Sequence, residues 1–123
     1  MLIRIDPDSS RPLYDQVAAS VRADILAERL APGDHLPAAR EVAAALEINL
    51  HTVLHAYQRL RDEGLVDLRR GRGAVVAASA APLAALAHDI TALVQRAEGL
   101  GISAETLAAV VKEHRPPGKG NAS

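Results

Sequence analysis

Apolar positions along the chain recur with helical spacing in five stretches and with strand-like spacing in two or three. Val53, Ala56, Tyr57 and Leu60 fall at i, i+3, i+4 and i+7, one buried face of a helix. Asn49 stands where an N-cap belongs, and Glu63-Gly64 supplies a glycine suited to the left-handed position past the C-terminus. Earlier, Leu13, Val17, Val21 and Ile25, flanked by Tyr14, Ala18 and Leu26, predict a first helix to about Leu30, with Ser10 as cap and Pro12 near its first position. Ala31-Pro32-Gly33-Asp34 reads as a tight turn. A second helix, Ala38 to Leu46, would bury Val42, Ala43 and Leu46. Leu2 to Asp6 alternates enough for a short strand or arm, stopped by Pro7. Leu65-Val66-Asp67-Leu68 and Ala74-Val75-Val76-Ala77 predict a hairpin.

After Ser79-Ala80-Ala81-Pro82, Leu83, Leu86, Ile90, Leu93 and Ala97 repeat at three–four spacing, so a helix is expected from Pro82 to about Glu98. Gly99-Leu100-Gly101 breaks it. Ser103 then caps a last helix whose apolar face is Leu107, Val110 and Val111. The expected organisation is residues 1–78 as a helical module with a small β-hairpin, 79–114 as a helical appendage and 115–123 as a disordered tail of Pro, Gly and polar residues.

Charge sharpens this picture. The chain has more acids than bases, yet no carboxylate occurs between Ile48 and Arg61. The outward face of that helix is His51, Thr52, His55, Gln58 and Arg59, a surface able to approach phosphate. The hairpin tip, Arg69-Arg70-Gly71-Arg72-Gly73, adds three arginines and two glycines. Arginine there can reach a minor groove or a phosphate, and glycine lets backbone come close. Helix, glycine, strand, Arg-Gly tip and strand in this order predict a winged helix-turn-helix, mainly α with a small β-wing.

Several classes are disfavoured. Without cysteine there is neither a disulfide nor a thiolate metal site. No apolar run is long enough to span a bilayer and no leader pattern opens the chain, so the cytoplasm is the expected compartment. No nucleophile–base pair, phosphate-cradling glycine loop or metal cluster points to an enzyme, and no cofactor is called for. His51 and His55 have a spacing that could hold a metal, but no third ligand stands nearby in sequence. Aromatics are nearly absent, with no Phe and no Trp, so burial against a second copy would help a modest core.

Pro12-Leu13-Tyr14-x-Gln16-Val17, Leu36-Pro37-x-x-Arg40-Glu41-Val42-Ala43, Thr52-Val53-x-x-Ala56-Tyr57-x-x-Leu60 and the Arg-Gly wing resemble the GntR family of bacterial transcriptional regulators. With only two helices after the wing, the chain is similar to the short YtrA-type branch, in which the helical pair dimerises. The resemblance implies a sequence-specific regulator, a repressor by analogy, that binds a palindromic double-stranded operator as a homodimer. It implies DNA contacts from Arg40, Leu50, His51, Thr52, His55, Arg70, Arg72 and Gly73. Leu50 and Leu54 sit where relatives carry polar or basic residues; they could read thymine methyls or cover the core edge. Many relatives have serine at Ala38 and arginine at His55. The expected dimer seam is Leu86, Ile90, Leu93, Leu107 and Val111; the other reading of that stripe is that it packs back on its own module. Two other functions stand beside this one: a winged helix used for protein interaction with DNA binding lost, and a ligand sensor with its effector between subunits.

Overall fold

The computed structural model describes residues 2–71 and 73–114. The expectations for Arg72 and for the 115–123 tail lie outside the described residues. Helices α1 (Leu13–Leu26), α2 (Ala39–Leu46) and α3 (Leu50–Asp62) are followed by an antiparallel hairpin of β1 (Val66–Arg69) and β2 (Gly73–Val76). A single 3-10 turn leads to α4 (Ala81–Ala85), α5 (Ala87–Gly99) and α6 (Ala104–Glu113). The chain divides into two compact units between Ala87 and His88.

The core of the first unit lies where α1 and α2 meet α3. Val17, Val21, Val53, Leu60, Val66 and Val76 are its largest fully buried side chains. The predicted stripe of α3 is buried at all four positions, Val53, Ala56, Tyr57 and Leu60. Small alanines between these residues, Ala18, Ala43, Ala56 and Ala80, let the helices approach closely and stand in for the missing aromatics.

The first helix differs from expectation at both ends. Pro12, not Ser10, occupies the N-cap, and no side chain caps the helix. Gln16 ties down the preceding chain instead: its Oε1 accepts from Asp6 N (2.6 Å), and its Nε2 donates to the carbonyls of Asp6 (3.1 Å) and Arg11 (3.0 Å). That side chain does the work of a ladder, so Leu2 to Asp6 forms an arm without strand pairing, with Ile3 buried and Arg4 N bonded to Ser20 Oγ. The helix ends at Leu26 rather than Leu30 because Glu28 takes the left-handed conformation. Arg29 N and Leu30 N then both donate to the Asp24 carbonyl, which turns Leu30 into the core.

Between α2 and α3, Glu47 is again left-handed (φ 56°), and Ile48 N returns to the Ala43 carbonyl. This makes the sharp turn of the helix-turn-helix. Leu46 is half-buried, not fully buried as expected. Each strand keeps its expected four residues but is shifted one residue toward the tip, with Val66 opposite Val76 and Arg69 opposite Gly73. Its far edge is covered by the residues after the Pro32-Gly33 turn. Gly33 N donates to Val76 O, Val76 N to Asp34 O and Leu36 N to Ala74 O. β2 is therefore hydrogen-bonded along both sides, which limits edge pairing with other chains.

Gly64 has the positive φ that the end of α3 requires, and Ser79 Oγ donates to its carbonyl. Nearby, Arg22 grips Glu63 through two bonds, Nε to Oε1 (2.7 Å) and Nη2 to Oε2 (2.6 Å), joining α1 to the end of α3. The bonded guanidinium holds the Glu63 carboxyl below its ordinary value of 4.5. A depressed carboxylate contributes stability above its unfolded pKa and loses it as pH falls through the folded one. Glu63→Gln should therefore cost at most about 1 kcal/mol near neutral pH, since both groups are partly exposed. The difference from wild type should shrink as melting is followed from neutral pH down into and below the ordinary carboxylate range.

The expected single helix from Pro82 to Glu98 is broken at Leu86. Leu86 N bonds to the carbonyl of Leu83 only three residues back, and Leu86 itself serves as the C-cap of α4. The break lets α4 pack on α1, with Leu83 against the first unit's core. In the second unit, Gly101 is left-handed and Ser103 Oγ accepts from Thr106 N (3.1 Å), the predicted cap of α6. Of the described residues of this unit, only Ala97 is buried. Leu93, Val94, Leu100, Ile102, Val110 and Val111 are exposed.

Candidate nucleic-acid interface

Asn49 starts α3 with its side-chain oxygen accepting from His51 N (2.7 Å), which satisfies one orphan donor of the first turn. No acid stands in that turn. His51, Leu54, His55, Gln58 and Arg59 are exposed, and Leu50 and Thr52 are half-buried.

Both tyrosines of the chain fix this helix. Tyr57 reaches back from α3 and its hydroxyl donates to the Pro37 carbonyl (2.6 Å), locking α3 to the segment that leads into α2. Burial raises the Tyr57 phenol above its ordinary value, with the Glu41 carboxylate adding to the shift, so the hydroxyl stays protonated as a donor. Tyr14, on α1, stacks on His55 with ring centroids 4.0 Å apart and planes 20° from parallel. The Arg59 guanidinium lies 5.9 Å from the centre of the same ring. His55 is thus held against α1 rather than standing free on the helix face.

The candidate residues fall into two neighbouring hollows. Arg40, Leu50, Arg70 and Gly73 line a cleft of about 650 Å³ between α3, the start of α2 and the wing. Leu54, Tyr57, Gln58, Leu68 and Arg69 line it with them. His51, Thr52 and His55 line a second hollow with Asn49, Leu13 and Tyr14. Arg40 and Arg70 have no carboxylate partner among the described residues, and Arg69 makes only a loose contact with Asp67 (3.7 Å) between half-exposed side chains. Three cations therefore face the cleft with little internal neutralisation. Gly73 (φ 74°) and Gly71 (φ 75°) both adopt backbone that favours glycine at the tip. No group of three His, Cys, Asp or Glu able to hold a metal occurs among the described residues.

Gln58 and Arg69 belong to the outward face and the basic tip read from the sequence, though neither is among the named contacts; Leu68 has no place in that reading. Arg69 was visible in the Arg-Gly run. Leu68 was hidden because an apolar strand residue reads as core. Tyr14 was seen in a motif, but its stacking on His55 has no sequence signal.

The start of α2 lacks a side-chain cap. Ala38 has the extended backbone of an N-cap (ψ 139°) but nothing to offer the first turn's N–H groups. Ala38→Ser should stabilise the domain by about 1 kcal/mol through a new cap bond. A rise of several degrees in Tm checks it; no rise would mean that the neighbouring groups already satisfy this turn.

A recognition-type helix on a helix-turn-helix scaffold, followed by a two-stranded wing with a basic tip, defines a winged helix-turn-helix regulator. The model of the "Bacterial regulatory proteins, gntR family" matches residues 13–76, and the chain belongs to the GntR family. It is 32% identical to the HTH-type transcriptional repressor YtrA of Bacillus subtilis (strain 168), over 97% of this chain and 96% of that one. The fold is similar to YtrA from Sulfolobus acidocaldarius, a GntR-family transcription factor, at 33% identity and a TM-score of 0.59, covering 80% of this chain and 99% of that one. It also resembles AraR(DBD) in complex with operator ORX1, at 26% identity and a TM-score of 0.54, covering 60% of this chain and 92% of that one.

Proposed function

We propose that this GntR-family regulator binds a palindromic DNA operator as a homodimer and acts as a repressor. α3 enters the major groove, and the wing carries Arg70 and Arg72 to the adjacent minor groove and its phosphates. The observation that carries this reading is convergence: the start of α2, the side of α3 that carries Leu50, Leu54 and Gln58, and the wing meet at one cleft that Arg40, Arg69 and Arg70 line with them, and His51, Thr52 and His55 line a second hollow on the same helix. Arg40 and the wing arginines supply backbone affinity; His51, Thr52 and the α3 leucines face base edges. The operator-bound AraR structure supports this use of the shared fold. The exposed apolar residues of α5 and α6 support a second copy as partner. Such a regulator works in the cytoplasm without catalysis; among the described residues no helix is long and apolar enough to cross a membrane.

The test is a duplex selected by the chain from a random pool, titrated at several salt concentrations. Arg70→Ala should weaken binding to the selected and to random DNA alike, and should reduce the salt slope by about one unit for the lost phosphate contact. An unchanged affinity and slope would remove the wing from the interface.

A further inference from the structure

We infer that Leu54, flanked by Leu50, selects thymine in the operator by contact with its methyl group. The inference rests on the operator-binding reading of this face. Its starting point is a mismatch between the face and a purely polar code. Arg40, Arg69 and Arg70 line the cleft between α3 and the wing, yet apolar side chains, Leu50, Leu54 and Leu68, line it with them.

These leucines are not equivalent. Leu50 is half-buried and packs against the core, so its burial is accounted for by folding. Leu54 is 37% exposed and Leu68 38% exposed, and neither belongs to the core cluster. Leu54 lies on the same exposed side of α3 as Gln58, one turn on, and one turn beyond Leu50. Its position is that of a side chain presented to whatever fills the cleft.

The arginines that share the cleft fix what that is. Three guanidinium groups with little internal pairing favour a polyanion, and the occupant that brings phosphates to the arginines brings base edges to the same cleft. Among the groups displayed in the major groove, the thymine C5-methyl is the apolar one; the others are hydrogen-bond donors and acceptors. A leucine can offer those groups nothing, and it would strip their water without replacing it. A methyl, in contrast, gains by leaving water. The face therefore discriminates for thymine, and against cytosine, at the base pair under Leu54.

The experiment uses the full chain and the duplex it selects from a random pool. Each thymine of a half-site is replaced in turn by deoxyuridine, which removes the methyl and nothing else. At one or two positions binding should weaken roughly fourfold, the equivalent of about 0.8 kcal/mol for one buried carbon at 1.4 kcal/mol per tenfold. Leu54→Ala should bind the thymine and uracil duplexes equally at the position it reads. Leu54→Arg should shift the selected base there toward guanine, whose two acceptors suit a guanidinium. Melting curves for both variants verify the fold. If every uracil duplex binds as tightly as its parent while the parent is still preferred over random DNA, methyl reading is overturned and operator binding stands. If no duplex is preferred over random DNA, the operator reading falls and this inference with it.

Discussion

Leu60→Ala should cost about 2–5 kcal/mol, the range for emptying a well-packed leucine site. Leu60 is completely buried and is among the largest buried side chains of the first unit. The core it belongs to is built of aliphatic side chains and alanines with one tyrosine, Tyr57, whose hydroxyl is tied to Pro37, and there is no phenylalanine or tryptophan in the chain to swing into the gap. The surrounding helices are already close, so the site can collapse only by moving α3 against α1. A loss of that size is a large part of the roughly 5–15 kcal/mol that stabilises an ordinary domain. In urea, the midpoint should fall while the m-value stays constant, and operator binding should be lost with the fold. A cost below about 1 kcal/mol would show that the core repacks around the deletion. Leu54→Ala is the natural control. It lies six residues earlier on the same helix, exposed, and should change stability by less than about 0.5 kcal/mol.

The two leucines also show what was legible in the chain. The stripe containing Leu60 could be read because a four-position helical period needs no tertiary knowledge, and it is buried throughout. The Asn49 and Ser103 caps and the left-handed Gly64 were equally local, each set by one side chain's chemistry and the next turn's free N–H or C=O groups. Features made by distant partners were not legible. α1 stops at Leu26 through a left-handed glutamate, a residue type that gives no stop signal. The Leu2–Asp6 arm is held by the Gln16 side chain from ten residues away, so its alternation suggested a ladder that does not form. The Leu86 break follows from the packing of α4 on α1, against an apolar repeat that continues unbroken in sequence.

The interface divides in the same way. Arg40, Arg70 and Gly73 could be assembled on paper because a helix-turn-helix order with a wing brings them together, and the cleft contains all three. The stacking of His55 on Tyr14 could not. It needs α1 and α3 to cross at one particular turn, and either ring alone reads as an ordinary surface residue. The same stack explains how His55 is kept in place on a helix face where a longer basic side chain would be free to swing.

Disrupting the second unit's apolar face should separate dimer affinity from half-site affinity. α5 and α6 bury only Ala97 among the described residues, too little to hold a helix pair by itself. Ile90 and Leu107 are half-buried, while Leu86, Leu93 and Val111 are 50%, 47% and 59% exposed. A second copy covering them would stabilise both the helices and the operator complex. Leu93→Asp with Val111→Asp should cost little in an isolated chain, where both positions already meet water. In a dimer it would place unpaired carboxylates in an apolar seam. The variant should sediment as a monomer, melt like wild type in its winged domain, and bind a single half-site normally. Its affinity for the full palindrome should fall by roughly 10²–10⁴, because the second half-site is no longer reached by a tethered partner. Cutting the chain after Ala87 should do the same; a cut after Ala80 would also strip Leu83 from the core and confuse folding with assembly. A doubly substituted chain that still sediments as a dimer, or still binds the palindrome at wild-type affinity, would place the pairing surface outside these two helices.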